Sequence, residues 1–155
     1  MTLPALYRLH PIAVHFPIAL LALGLAAALS SWWKRRPSWL AEAESWLLWL
    51  GTASAWAALG LGLLAEKTAP HVPPAWETLA HHEELAWWTG GVFTALSALK
   101  LFMVRKNRSG GLWRAAYLVL WLAGAGLLLE TGEHGGELVY EFGMGVGGER
   151  HGHEH

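Results

Sequence analysis

The chain has 155 residues, of which 54% are hydrophobic and 15% charged, and its formal net charge is −1. Because soluble domains usually carry about 25% charged residues, much of this protein's surface is expected to face lipid. No basic stripe is available to neutralise phosphates, so we expect no nucleic-acid partner. The absence of cysteine excludes disulfides, thiolate metal sites and covalently attached haem.

The first apolar run covers about residues 12–33, which is enough to cross roughly 30 Å of hydrocarbon with about 20 helical residues. It lacks the basic leader of a signal peptide and is followed by Lys34, Arg35 and Arg36. This order of charges predicts an uncleaved helix whose N-terminus lies outside the cytoplasm.

Three more apolar runs, at about residues 43–65, 85–104 and 112–129, are rich in leucine and alanine, which favours spanning helices over barrel strands. Their short connections predict an up-down bundle. We therefore expect an all-α integral membrane protein, with a four-helix transmembrane domain at residues 1–134 and an extramembrane, glycine- and histidine-rich segment at residues 135–155. Eight of the eleven basic residues lie at one face, including Lys100, which is expected to extend towards that face from within its helix. The excess of positive charge predicts that this face is cytoplasmic and that both termini lie outside.

All nine histidines and ten of the twelve glutamates then fall on the outer side. His15 is the most informative of them, because it lies about three residues inside the first run, where an ionisable side chain usually faces the bundle interior with a partner. Pro17 cannot donate a backbone hydrogen bond to Ala13, so the opening turn is expected to be distorted. The alternative for His15 is a neutral ring bonded to a backbone oxygen.

The other three helices also offer ligand side chains at the outer level. The third begins with His81 and His82, of which at most one is expected to point inward, because adjacent helical residues point about 100° apart. The fourth ends with Glu130 and His134, which share a face if the helix continues that far. Glu66 closes the second helix. This pattern predicts a binding site at the outer end of the bundle.

Six glycines lie about three to six residues inside the outer boundary: Gly60, Gly62, Gly90, Gly91, Gly124 and Gly126. They leave room for a flat group such as a porphyrin, or they allow close helix packing. Gly24 and Gly51 lie elsewhere and fit packing alone. The segment from Gly135 is expected to pack back over the bundle mouth as a lid, and the histidines at 151, 153 and 155 to gather Cu, Ni or Zn loosely.

The opening His10-Pro11-Ile12-Ala13-Val14-His15-Phe16-Pro17-Ile18-Ala19-Leu20 and the ending GGxLVYxxGxGV resemble DUF 2231, a family of bacterial four-helix membrane proteins of unknown function. The resemblance covers nearly the whole chain and carries over to His10, His15 and the glycine-rich ending. It implies a multi-pass protein of the bacterial inner membrane with periplasmic termini. The family is distantly similar to membrane b-type cytochromes, and that similarity implies haem b as the cofactor.

Our leading hypothesis is a membrane haem protein that transfers electrons at the periplasmic face. His15 and either His82 or His81 would be the axial ligands, with His10 as a further candidate and Arg8 or Lys67 near the propionates. A respiratory or redox protein would be the partner, and a homodimer is compatible with this arrangement.

Two other functions stay open. The first is binding or handling of a Zn, Cu or Fe ion through His15, His82, His134, Glu130 and Glu66. The second is a non-catalytic accessory subunit of a larger membrane complex. The chain has no nucleophile triad, phosphate loop or dinucleotide motif, so a stand-alone enzyme is the weaker expectation.

Overall fold

The computed structural model describes residues 9–30, 37–67 and 72–144. Their elements are α1 (His10–Ala13), α2 (His15–Leu29), α3 (Ser38–Glu66), a 3-10 turn (Pro73–Ala75), α4 (Trp76–Arg105) and α5 (Gly111–Tyr140). Four stretches of the described chain are long and apolar enough to cross a membrane: His10–Leu29, Ser38–Glu66, Pro73–Arg105 and Gly111–Tyr140. The predicted all-α, four-helix membrane architecture is thus confirmed.

The helices extend beyond the apolar runs that predicted them. α4 already begins at Trp76, and α5 continues through Gly132 and Gly135 to Tyr140. Residues 135–140 are therefore the last turns of a helix rather than a lid, because Leu138 is buried as part of α5 and anchors them. The helix thus continues past residue 134, where the transmembrane domain was predicted to end. Residues 145–155, including the histidine tail, lie outside the described residues.

A break at Val14 divides the first span into α1 and α2. Proline has no backbone N–H to donate, so Pro17 leaves the carbonyl of Ala13 without its usual helical partner. The next bond, from the N–H of Ile18 to the carbonyl of Val14, is long at 3.4 Å. The distortion expected from Pro17 is present, and it lies between the two histidines of this span.

The four spans pack as two hairpins. α2 lies mainly on α3, and α4 lies mainly on α5, while smaller contacts between α3 and α4 and between α2 and α5 join the hairpins. The first and third spans are consequently diagonal across the bundle. Side chains that point inward from these two spans face one another.

In the bundle core, side chains of neighbouring helices pack closely against glycines. A Cβ on Gly51 would lie 2.6 Å from Leu21 Cδ2, and one on Gly24 would lie 2.9 Å from Trp121 Cη2. Both residues therefore serve helix packing, as expected. Large apolar side chains instead cover the outside of the bundle, among them Ile12, Phe16, Trp88, Leu112 and Leu129. Soluble monomers rarely expose so much contiguous apolar surface, and a lipid environment accounts for it.

The end of the bundle opposite the histidines contains a buried ion pair. Glu44 on α3 is 1% exposed, and its Oε1 lies 2.7 Å from Lys100 Nζ on α4. The hydroxyl of Tyr117 on α5 donates to the same oxygen at 2.7 Å. Lys100, which we expected to extend towards the membrane face, is thus held by Glu44, and this cluster ties three helices together.

We expect Glu44→Ala to lower the free energy of unfolding by about 3–5 kcal/mol, because it leaves the Lys100 ammonium without its carboxylate in a buried position. The matched control is Glu42→Ala on the same helix, where the side chain is exposed and the change should stay within about 0.5 kcal/mol. Denaturant titration in detergent, followed by tryptophan fluorescence, measures both. Equal free energies of unfolding for the two variants would show that the ion pair does not stabilise the bundle.

Candidate functional site

His10 is the first residue of α1 and is half-buried. Its Nδ1–H donates to the carbonyl oxygen of Ala58 on α3 at 2.9 Å, since a carbonyl can only accept. Gly62, one turn further along α3, leaves space for the ring, because a Cβ there would lie 3.0 Å from His10 Cε1. The imidazole is therefore held against α3, towards the inside of the bundle.

His82 on α4 is held in the same way. It is half-buried, and its Nδ1–H donates to the carbonyl oxygen of Thr131 on α5 at 2.9 Å. Gly135 again lies one turn further along, where a Cβ would come 3.0 Å from His82 Cε1. A hydrogen bond of 2.9 Å between Thr89 and Thr131 joins α4 to α5 beside the ring.

The rings of His10 and His82 face each other across the bundle, with centroids 6.3 Å apart and planes at 80°. Because each Nδ1 carries the proton, each Nε2 keeps the lone pair that binds a metal. Two imidazoles that bind one ion from opposite sides at about 2 Å have ring centres about 6 Å apart, since each centre lies about 1 Å behind its nitrogen. The separation of the two rings would therefore suit imidazoles that hold one ion between them.

Two cavities share both rings in their walls. One of about 110 Å³ lies towards the bundle mouth, beside Glu66 and Leu79. The other, of about 360 Å³, lies towards the middle of the bundle, beside Thr89 and Leu128. The larger one falls within the roughly 300–1,000 Å³ of small-molecule sites. Open space thus adjoins the histidine pair on two sides.

His15, the first residue of α2, is exposed, and its Nδ1–H donates to the carbonyl of Pro11 in α1 at 2.7 Å. It follows His10 by five residues, which turns it about 140° around the helix. His15 lies at the rim of the larger cavity, but the ring that faces His82 is that of His10. This corrects the inward orientation expected for His15, because depth in the membrane does not determine direction around the helix.

His81 and His134 form a second pair on the other side of α4. Their ring centroids are 4.7 Å apart, with planes at 70°. His134 donates its Nδ1–H to the carbonyl of Glu130 at 2.9 Å. Both residues lie within α5, so the helix continues past Gly132 as their shared face requires. His82 points inward and His81 is exposed, as the 100° between adjacent helical residues predicts.

The five residues predicted as one metal site do not meet at a point. His134 faces His81 rather than His82, Glu66 lies at the mouth of the smaller cavity, and Glu130 is exposed. Over residues 9–30, 37–67 and 72–144, no three histidine or acidic side chains converge on a possible ion position. Four of the five histidines in the described residues instead form an inner pair and an outer pair, and His15 belongs to neither.

The six glycines near the outer boundary differ in what lies against them. Gly90 and Gly124 serve packing, because a Cβ would lie 3.2 Å from Trp56 and 3.0 Å from Phe93, respectively. Gly62 alone among the six lies against a histidine, His10. Gly135, which the sequence pattern assigned to the C-terminal segment, lies against His82 in the same way. A Cβ added at any of the other three would meet no described atom of a neighbouring element within 4 Å: Gly60, Gly91 and Gly126.

No curated protein and no solved structure matches the chain. The similarity to b-type cytochromes accordingly stays a prediction. A family model described as "Predicted membrane protein (DUF2231)" matches residues 7–148, a range that includes both histidine pairs and every helix described above. The chain therefore belongs to the DUF2231 family of predicted membrane proteins.

Proposed function

We propose that this protein is a membrane-bound b-type haem protein that transfers electrons, with His10 and His82 as the axial ligands. The observation that supports this most directly is the separation of 6.3 Å between their rings. Two diagonal spans supply the imidazoles, and the two intervening helices supply the carbonyls that orient them. All four spans thus take part in holding the two imidazoles, whose Nε2 atoms would bind the iron.

The number of ligands favours haem over a bare ion. Haem brings four equatorial nitrogens and needs only two protein ligands, whereas a structural zinc ion takes four. The described part of the chain offers an inner pair of imidazoles and no group of three or more ligands. Binding of Zn, Cu or Fe alone at His10 and His82 is therefore the weaker proposal.

The space around the pair also fits a flat group. A porphyrin lies across the line that joins its axial ligands, so it needs room on both sides of that line. The two cavities that share His10 and His82 provide open space on two sides. Their walls are mostly apolar, with Leu59, Ala86 and Val139 common to both, which suits a porphyrin ring. Gly62 and Gly135 allow both imidazoles to lie against a helix backbone.

The protein's own groups would set the properties of the bound cofactor. A hydrogen bond from Nδ1–H to a carbonyl fixes the orientation of each imidazole and raises its basicity as a ligand. Two histidine ligands close both axial positions, which favours electron transfer over oxygen chemistry. The bound haem would supply one-electron oxidation and reduction, while the apolar walls limit access of water.

We further propose that the site lies at the periplasmic face of the bacterial inner membrane. The reason is the excess of lysine and arginine at the opposite end of the bundle, because such residues collect on the cytoplasmic side. A respiratory or redox protein that reaches the periplasmic face would exchange electrons with the haem.

We expect the purified protein, reconstituted with haemin, to show the absorption spectrum of a six-coordinate bis-histidine haem. His10→Ala and His82→Ala should each remove that spectrum and lower haem affinity about tenfold or more. His15→Ala is the matched control, because His15 belongs to the same span but its exposed ring does not face His82, and the spectrum of this variant should stay six-coordinate. Absorption spectra of the oxidised and reduced protein measure this.

A variant that fails to fold is recognised by its helical circular dichroism, and His10→Gly with added imidazole gives an independent measurement. Free imidazole should restore the six-coordinate spectrum of that variant. The absence of a Soret band in reconstituted wild-type protein would contradict the proposal. If loss of both His10 and His82 changed neither cofactor content nor stability, an accessory subunit without a cofactor would be favoured instead.

We also expect Gly135→Ala to weaken haem binding about tenfold, because the new Cβ moves the His82 ring and disturbs its bond to Thr131. Gly126→Ala on the same helix is the control, since its Cβ meets no described atom within 4 Å. Haem titrations of the two variants make the comparison. Equal affinities would show that the position of the His82 ring does not determine binding.

A further inference from the structure

A second pair of imidazoles is not used by the proposed function: His81 on α4, which is exposed, and His134 on α5, which is half-buried. Their ring centroids are 4.7 Å apart. We propose that this pair binds a first-row transition-metal ion, and that it prefers Cu²⁺ to Zn²⁺. The site is separate from the inner pair, because His81 and its neighbour His82 point to different sides of α4.

Both rings have a nitrogen available for an ion. His134 uses its Nδ1–H to donate to the carbonyl of Glu130, so its Nε2 keeps the lone pair. The ring of His81 makes no hydrogen bond to another described residue, and it is exposed. The bond to Glu130 also fixes the orientation of one ligand before the ion arrives, as metal-binding histidines usually require.

The separation of the rings fits two ligands on the same side of one ion. When two imidazoles bind at about 2 Å and at a tetrahedral angle, their ring centres lie about 5 Å apart. The observed 4.7 Å is close to this value, whereas the 6.3 Å of the inner pair fits opposite sides. The remaining positions around the ion would be open to water or carboxylate.

The charges around the outer pair favour a cation. Helical spacing places Glu77 and Glu84 on the face of His81, and Glu130 and Glu137 on the face of His134. Residues 76–99 and 115–144 contain no lysine or arginine, so no basic side chain of this hairpin end opposes a bound cation. The resulting negative field raises the local concentration of cations.

The ligand type determines the preferred ion. Imidazole suits copper, nickel and zinc, and for a given set of ligands the affinity of divalent ions is highest for Cu²⁺. Calcium and magnesium, which prefer sites made of oxygen ligands, should not use the two rings. The ion would also connect α4 to α5 at the end of the bundle where the inner pair lies.

The test uses the full chain with His151→Gln, His153→Gln and His155→Gln, because tail histidines bind the same ions. Cu²⁺ is titrated and followed by electron paramagnetic resonance, and Zn²⁺ is titrated by calorimetry. We expect one equivalent of Cu²⁺ with two nitrogen ligands that persists in His82→Ala, which removes the inner pair. His81→Phe and His134→Phe keep the ring packing but remove the ligand nitrogens, and each should lower the affinity about tenfold or more.

His15→Phe is the matched control, because it removes an exposed histidine whose Nδ1 is also bonded to a backbone carbonyl four residues earlier, and it should leave Cu²⁺ affinity unchanged. His82→Ala should lose haem and keep the copper signal, so failure of one site is distinguished from failure of the other. Should a phenylalanine variant lose its helical circular dichroism, the corresponding glutamine variant replaces it. The proposal is overturned if the tail-substituted protein binds no Cu²⁺, or if it binds Cu²⁺ equally well without His81 and His134.

Discussion

The hydrogen bonds from His10 and His82 to carbonyls of neighbouring helices determine the geometry of the inner site. A helical carbonyl already accepts one bond from its own helix, but oxygen has a second lone pair, and a side chain from outside can use it. In lipid there is no water to compete for that lone pair. Ala58 and Thr131 can therefore each hold an imidazole without breaking their own helices. The proton needed for each bond also selects the tautomer, and it leaves the opposite nitrogen free for a ligand.

The bundle is held together mainly by such local polar contacts and by close packing, because lipid tails are as apolar as the side chains they surround. At one end, Glu44 joins three helices through Lys100 and Tyr117. In the middle, Thr52 and Ser97 are hydrogen-bonded at 3.0 Å between α3 and α4. At the other end, His10 joins the first span to the second, and His82 joins the third span to the fourth. The two cavities described above lie at that last end, where the imidazoles of His10 and His82 pack against Gly62 and Gly135.

The four spans could be predicted because hydrocarbon thickness requires long apolar runs, and these are visible in any sequence. Their ends could not be predicted, since the last turns of α5 are held by burial of Leu138 and not by apolar character along the chain. The sequence predicted a site at the end of the bundle where the inner histidine pair lies, and His82 was among its predicted residues. It favoured His15 over His10 because the position of a residue in an apolar run indicates its depth in the membrane. The direction of its side chain depends instead on the rotation of the helix and on the break at Val14. Backbone acceptors such as that of Ala58 have no sequence signature, and the Glu44–Lys100 pair joins residues on different helices that no local pattern connects.

The similar settings of the two inner histidines have a consequence for the architecture of the whole chain. The residue numbers of His10 and His82 differ by 72, and those of their acceptors, Ala58 and Thr131, differ by 73. The same offsets relate the contact of Leu21 with Gly51 to that of Phe93 with Gly124. The two helical hairpins thus hold their imidazoles at corresponding positions, each against a carbonyl of the second helix of the same hairpin. A molecule bound between the hairpins would meet one imidazole from each, held in the same way.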